Sequence, residues 1–376
     1  MLCGFFAAFI FKDIKLLPIM KKISILGTVG IPNKYGGFET LVENLTKNLS
    51  HEYDITVFRS AKSYDDKLHF YNGARLKDIN LRANGVQSIP YDIIAIFCSL
   101  KFATTLLILG VSGCIILPFI RLFSRKRIIV NIDGMEWKRE KWGRNAKWFL
   151  KLSEKLAVKY ADIIVSDNKV IQEYVFTEYG VRSELIAYGA DHVVKEHLSD
   201  GIQNLYPFLN TKYTLKVCRI EPENNVHLIL EVFSKYISLN IVMIGNWGNS
   251  KYGKELKVKY CHFKNIFLLD PIYNHKILNQ IRSNCFIYIH GHSAGGTNPS
   301  LVEAMYLGLP IFAFGVAYNK ETTQHKANYF NNKGELLSLL KNISADELLN
   351  NATDMQNVAK ENYMWVKISE QYAKLF

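Results

Sequence analysis

Apolar residues in this chain come in two alternating patterns. Residues 22–27 are a short apolar run closed by a glycine. After a polar loop, residues 38–49 place Phe38, Leu41, Val42, Leu45 and Leu49 at helical spacing. A second short run follows at 54–58, and the pattern recurs at 127–132, 161–165 and 183–187 with helix-spaced stretches between. Strand and helix in alternation predict an α/β fold with a parallel sheet. Residues 198–212 carry Asp200-Gly201, Asn204, Pro207 and Asn210 and read as a linker. Beyond them, strands are expected at 214–217, 240–244, 266–269, 285–289 and 310–313, with helices between most of them. The expected organisation is an extension (1–20), an N-terminal domain (21–197), the linker, a C-terminal domain (213–353) and terminal helices (354–376). Those helices can pack back on the N-terminal domain.

Two apolar stretches raise the question of a membrane. The run 2–11 is too short to span a bilayer and has neither a basic start nor a small-residue cleavage site. Met20, followed by Lys21-Lys22 and the first strand, reads as the functional start, with 1–19 an extension of no structural role. The run 102–120 has no charge, but Gly110 to Gly113 interrupt it and Pro118 interrupts it again. A single crossing there would also put the chain's glycine-rich loops on opposite sides of the membrane. Residues 106–109 suit a buried strand ending in a glycine loop.

Apolar residues make up 49% and charged residues 21% of the 376, a globular composition that excludes disorder as the main state. Forty-six Lys and Arg against 34 Asp and Glu give a net charge of +12, which favours anionic partners. Twelve of those basic residues fall between Arg121 and Lys159, against four acids. Lys147, Lys151, Lys155 and Lys159 recur at i+4 beside Trp148, Phe149 and Leu152. That face suits an anionic membrane surface, or is the solvated face of a soluble helix. No recognition motif accompanies the charge, so nucleic acid is not expected. The six cysteines are scattered without a CxxC pair, as in a cytosolic protein with reduced thiols and neither disulfide nor zinc framework.

Four loops carry candidate chemistry, each at the carboxyl end of an expected strand, where α/β sheets bind ligands. The first holds Gly27, Gly30, Tyr35, Gly36 and Gly37 before a helix; its glycines let backbone N–H groups approach an anion, or make a structural turn. Its spacing is neither GxGxxG nor GxxxxGK[ST], so a standard dinucleotide or ATP loop is not expected. The second holds Asp133 and Glu136, suited to sugar hydroxyls or to general-base work, or else solvated turn charges. The third is Arg219 with Glu221, Glu223 and Asn224; a guanidinium there suits a diphosphate, or pairs with a neighbouring glutamate. In the fourth, His290, His292, Gly295, Gly296 and Thr297 lead to Asn298-Pro299, a cap-then-proline helix start, with Glu303 in the helix. The two histidines lack a third ligand and read as polar loop residues rather than a metal site.

The third and fourth loops resemble those of retaining GT-B glycosyltransferases of glycosyltransferase family 4. More closely, GTVGIPNKYGGFET, NIDGMEWKR, RIEPENN and HGHSAGGTNPSLVEAM resemble a bacterial rhamnosyltransferase subgroup that includes β-1,4-rhamnosyltransferases. The likeness runs from about residue 22 to 325. It implies two Rossmann-like domains facing a cleft, with the donor, dTDP-L-rhamnose first, in the C-terminal domain. The acceptor implied is a lipid-linked saccharide at the inner membrane face, in capsule, O-antigen or cell-wall polysaccharide synthesis. By the resemblance, Arg219 neutralises the diphosphate, helped by the Gly296-Thr297 amides, and Glu303 binds the ribose. Asn224, Gly245, His290, Gly295 and Asn298 complete the donor side. Gly30, Tyr35, Gly36, Gly37 and Glu136 serve the acceptor or phosphate side, and Asp133 is a catalytic candidate. There is no Asp-x-Asp, and neither metal nor other cofactor is expected. Two departures stand out: position 295 is glycine where the wider family has a glutamate, and Asn224 stands where a lysine is usual. A UDP-hexose donor, or a silent nucleotide-binding subunit, are the alternatives.

Overall fold

The computed structural model describes residues 20–34, 36–132, 134–139 and 142–376. The extension 1–19, Tyr35 and Asp133 therefore lie outside the described residues. The N-terminal half is built on β1 (Lys22–Leu26), β2 (Asp54–Ser60), β3 (Phe70–Tyr71), β4 (Ala74–Ile79), β5 (Thr105–Leu109), β6 (Arg127–Asn131), β7 (Ile163–Ser166) and β8 (Glu184–Leu185). They form one sheet in the order β3-β4-β2-β1-β5-β6-β7-β8, parallel except for the β3–β4 pair. The C-terminal half uses β9 (Tyr213–Val217), β10 (Asn240–Ile244), β11 (Ile266–Leu269), β12 (Ile287–His290), β13 (Ile311–Phe314) and β14 (Asn328–Phe330) in the order β11-β10-β9-β12-β13-β14, all parallel. Each half's first strand lies inside its sheet, and chain order reverses beside it, at β1/β5 and at β9/β12. A cleft for ligands is expected beyond the carboxyl ends of those strands. Together the halves make the two-sheet GT-B architecture.

The 102–120 stretch holds β5, whose residues are all buried between β1 and β6. Among the described residues no helix is long and apolar enough to cross a membrane. The linker expectation needs correction. Residues 198–212 hold the helix Asp200–Leu205 and a 3-10 turn Pro207–Asn210. Ile202, Phe208 and Leu209 insert into the C-terminal core, so this polar-looking stretch buries a sparse apolar set. The chain instead crosses between Tyr188, in the N-terminal core, and Ala190, in the C-terminal one, and crosses back between Tyr363 and Trp365.

The final helices divide between the halves. Ala345–Asn362 opens with a capping box at Ser344 and Glu347 and packs on Pro299–Tyr306. Trp365–Leu375 lies against Gly37–Leu49. Its Trp365, Ile368, Tyr372 and Leu375, with Phe376, share one core with Ile23, Leu41, Val57 and Leu107 of the N-terminal half. Tyr372 accepts a hydrogen bond from Asn131 Nδ2 at 2.9 Å.

Candidate active site

A cleft of about 890 Å³ opens between the carboxyl ends of the two sheets. Its N-terminal wall starts with the first glycine loop. Gly36 has φ 144° and precedes the helix Gly37–Leu49, and both Gly36 and Gly37 line the cleft. Beneath them Glu39, which the sequence analysis passed over, accepts from Thr28 Oγ1 and Val29 N, both at 2.7 Å. Burial raises its carboxyl above the ordinary value, against the pull of those hydrogen bonds. A side chain at Gly36 would collide with this carboxylate, at 1.8 Å from Cβ to Oε2. Gly30 is different. It is not part of the cleft wall; its Cα packs on Arg59, where a Cβ would come within 2.1 Å, so its role is in the turn.

After β6, Glu136 reaches the cleft held by Arg139 Nε at 2.8 Å and by Trp142 Nε1 at 3.0 Å. It is thus an ion-paired carboxylate, and Arg139 brings a cation to the N-terminal wall that the motif pattern did not single out.

On the C-terminal wall Arg219 lies past the end of β9, with its side chain 37% exposed and its Nε 3.9 Å from Glu221 Oε2. The residue lines the cleft. Asn224 donates from Nδ2 to Arg219 O at 2.9 Å, and its Oδ1 lies 3.0 Å from His292 Nδ1. Ser293 donates to Glu223 O through N at 2.8 Å and Oγ at 3.0 Å. The arginine loop and the histidine-glycine loop are therefore stitched into one wall, with Asn224 as a stitch. Gly245 also lines the cleft, and a Cβ there would press on Cys218 O at 2.3 Å.

His290 needs a correction. It is the last residue of β12, fully packed, with no partner for Nε2, and is not part of the cleft wall. Of the two loop histidines, His292 is the one that lines the cleft. Burial pushes both imidazoles well below the ordinary histidine value, and Arg139, Lys216 and Arg219 add to this at His292. Gly295 has φ 112° and faces Gly134, whose Cβ would approach within 3.3 Å. At Gly296 a Cβ would fall 1.9 Å from Asp167 Oδ1. At 295 the positive φ itself disfavours a side chain, a glutamate included, whereas at 296 it is the other half's Asp167 that leaves no room for a Cβ. Thr297 donates its hydroxyl to Asp167 O at 2.5 Å, so its side chain serves the contact between halves. Asn298 caps the helix Pro299–Tyr306 by accepting from Ser300 N at 3.1 Å.

Glu303 sits one turn into that helix, buried yet lining the cleft. Its Oε2 pairs with Arg282 at 2.9 Å and its Oε1 lies 3.0 Å from His192 Nε2. Burial opposes its ionisation, but Arg282 and His192 outweigh burial and hold the carboxyl below the ordinary value. Arg282 and His192 come from other elements and carry no local motif, so spacing could not have found them. Among the described residues no cluster of three or more His, Cys, Asp or Glu could hold a metal ion.

Residues 203–362 match the family described as Glycosyl transferases group 1, and residues 20–191 match the one described as Domain of unknown function (DUF1972). An uncharacterized glycosyltransferase of Methanocaldococcus jannaschii is 23% identical, over 95% of this chain and 99% of that protein. Sucrose-phosphate synthase of Thermosynechococcus elongatus superposes with a TM-score of 0.77 at 13% identity, over 94% of this chain and 98% of that one. Anabaena HepE, solved in complex with UDP-glucose, gives 0.74 at 14% identity, over 94% and 98%. The C-terminal half thus matches a glycosyl transferases group 1 model, and the chain as a whole shares the GT-B fold of these structures.

Proposed function

We propose that this chain transfers a sugar from a nucleoside diphosphate donor, first among them dTDP-L-rhamnose, to a lipid-linked saccharide, with retention at the anomeric carbon. The observation that carries the reading is Arg219, the capped helix start at Asn298-Pro299 and Glu303 on one wall, facing the Gly36-Gly37 loop. As the donor's C1–O bond breaks, negative charge grows on the diphosphate. Arg219 and the Gly296-Thr297 amides, ahead of the positive end of the helix dipole, meet that charge without rearranging. The acceptor oxygen forms the new bond to C1 on the same face, and its proton passes to the departing phosphate oxygen. Glu303 holds the pentose hydroxyls away from the bond being broken, the 3′-hydroxyl alone in a dTDP donor and the 2′,3′ pair in a UDP donor. Asp133 stays, on sequence alone, the acceptor-side carboxylate.

A UDP-hexose donor is the second reading, favoured by the UDP-glucose complex of HepE. Thermal shift against dTDP-, UDP- and GDP-sugars, followed by turnover of labelled donor, separates them. A ligand at 100 times its dissociation constant stabilises by about 2.7 kcal/mol. No shift with any donor overturns the donor site, and binding without turnover supports the silent-subunit alternative.

The membrane part of the proposal moves to a different surface. Lys151 does not belong to an outward lysine face. It pairs with Glu178 at 2.9 Å and Glu154 at 3.5 Å, bonds Tyr174, and lies over the Trp137 and Tyr179 rings. Beside it, Phe119, Leu122, Phe123 and Trp148 are exposed, Leu122 by 80%. Phe119 makes edge contacts with Phe97 and Phe123. No acid occurs between Asp92 and Asp133, whereas Lys101, Arg121, Arg125, Lys126 and Arg127 do. An apolar surface with a basic surround suits an anionic lipid face, to which an acceptor of this class is anchored.

A further inference from the structure

The two crossings between the halves touch each other. Ala190 N donates to Tyr363 O at 2.7 Å, and Trp365 N donates to Asp191 Oδ1 at 2.7 Å. Gly189 lies against the Trp365 indole so closely that a Cβ would come within 2.4 Å of the ring. From this knot a line of hydrogen bonds runs into the cleft. Trp365 Nε1 is 2.9 Å from His192 Nδ1, and His192 Nε2 is 3.0 Å from Glu303 Oε1. Arg282 takes the other carboxylate oxygen at 2.9 Å.

The directions follow from what each group can do. An indole N–H only donates, so His192 Nδ1 is the accepting nitrogen. The ring proton then sits on Nε2, aimed at Glu303. Trp365 thereby selects the tautomer of His192, and His192 with Arg282 fixes both oxygens of the carboxylate. Arg282 alone would leave the carboxylate plane free to swing about a single contact.

We propose that His192, held by Trp365, is a positioning residue for Glu303, so that the grip on the donor ribose is set by the laced crossings between the two halves. This rests on the reading of Glu303 as the ribose partner. His192 acts through Glu303, and Trp365 acts through His192. A helix that completes the core of one half thus reaches, through one imidazole, into the donor pocket of the other.

The test compares binding of dTDP with binding of 2′,3′-dideoxythymidine diphosphate, and of UDP with 2′,3′-dideoxy-UDP, by calorimetry, in the full chain and in three variants. Trp365→Phe keeps an aromatic ring and removes only the N–H; His192→Ala removes the link; His192→Gln restores a donor and an acceptor. In the wild type the missing hydroxyls should weaken binding about tenfold or more, the scale of a charged hydrogen bond. Trp365→Phe should shrink that ratio about three- to tenfold, His192→Ala should bring it near one, and His192→Gln should recover most of it. Binding of the dideoxy analogues should stay within twofold throughout. A ratio unchanged in Trp365→Phe and His192→Ala, whatever happens to their melting temperatures, would reduce the line to packing and overturn the proposal. A wild type that binds dTDP or UDP but ignores the pentose hydroxyls would overturn the role of Glu303 itself, and the positioning role with it. A wild type that binds no nucleoside diphosphate would overturn the donor site first.

Discussion

Arg219 and Glu303 stand on the same wall, yet their surroundings predict different consequences of losing them. Arg219 is partly exposed at the cleft, so Arg219→Ala should lower the melting temperature less than a change at Glu303 does. Its charge matters most as the leaving group develops, so kcat should fall about 10²-fold or more in steady-state assays. Glu303 is buried against Arg282, and removing one member of such a pair leaves a desolvated charge, at a cost of about 3 to 5 kcal/mol. Glu303→Gln should therefore weaken donor binding and also lower the melting temperature, a second effect that the motif alone does not suggest. The pH dependence has a definite sign. The folded-state pKa of Glu303 lies below its ordinary value of 4.5, so the pair's contribution is present above that value and is lost as pH falls through the folded pKa. The wild type's thermal advantage over Glu303→Gln, followed by calorimetry, should be full at neutral pH and shrink below about pH 4.5. At this scale the sequence showed the residues that sit in contiguous loops. It did not show Glu39, Arg139, His192 or Arg282, whose importance comes from what tertiary packing sets beside them.

Among the elements, the buried parallel strands were the most legible, because burial on both faces writes them as short unbroken apolar runs. The edge pair Phe70–Tyr71 and Ala74–Ile79 was passed over. Its second strand reads Ala-Arg-Leu-Lys-Asp-Ile, with charged residues exposed as an edge requires. Periodicity sets four lysines of the helix Arg144–Tyr160 on one face, but it cannot say which neighbours cover that face. Tyr174, Tyr179 and Glu178 cover the part that holds Lys151. Two substitutions separate the surfaces. Lys151→Glu should lower the melting temperature, since it sets a third carboxylate beside Glu154 and Glu178, while Lys155→Glu on the exposed side should not. Leu122→Glu with Phe123→Glu should keep the wild-type melting temperature and lose most co-flotation with anionic vesicles. Vesicle binding that survives this pair unchanged would reject the apolar surface as the contact.

For the molecule as a whole, the two-half architecture was visible in the restart of the alternating pattern, but the contacts between halves were not. The approach of Gly134 to Gly295, of Gly296 to Asp167 and of Thr297 to Asp167 joins residues far apart in sequence. The last helix extends that lesson to how the protein is made. Its residues fill a core whose other members lie near the start of the chain, between Ile23 and Tyr188. A ribosome delivers the N-terminal half first, and domains generally fold in that order. Here the first half emerges with its sheet complete and one apolar side uncovered, and waits for the final residues to close it. The segment 20–191, although it coincides with a family match, is thus an unfinished folding unit. Expressed alone it should aggregate, and a synthetic peptide of residues 362–376 supplied during refolding should rescue its solubility. A fragment that folds cooperatively without the peptide would show that the closing helix is dispensable. Otherwise any nonsense mutation ahead of the codon for Trp365 damages the first half of the protein as much as the second.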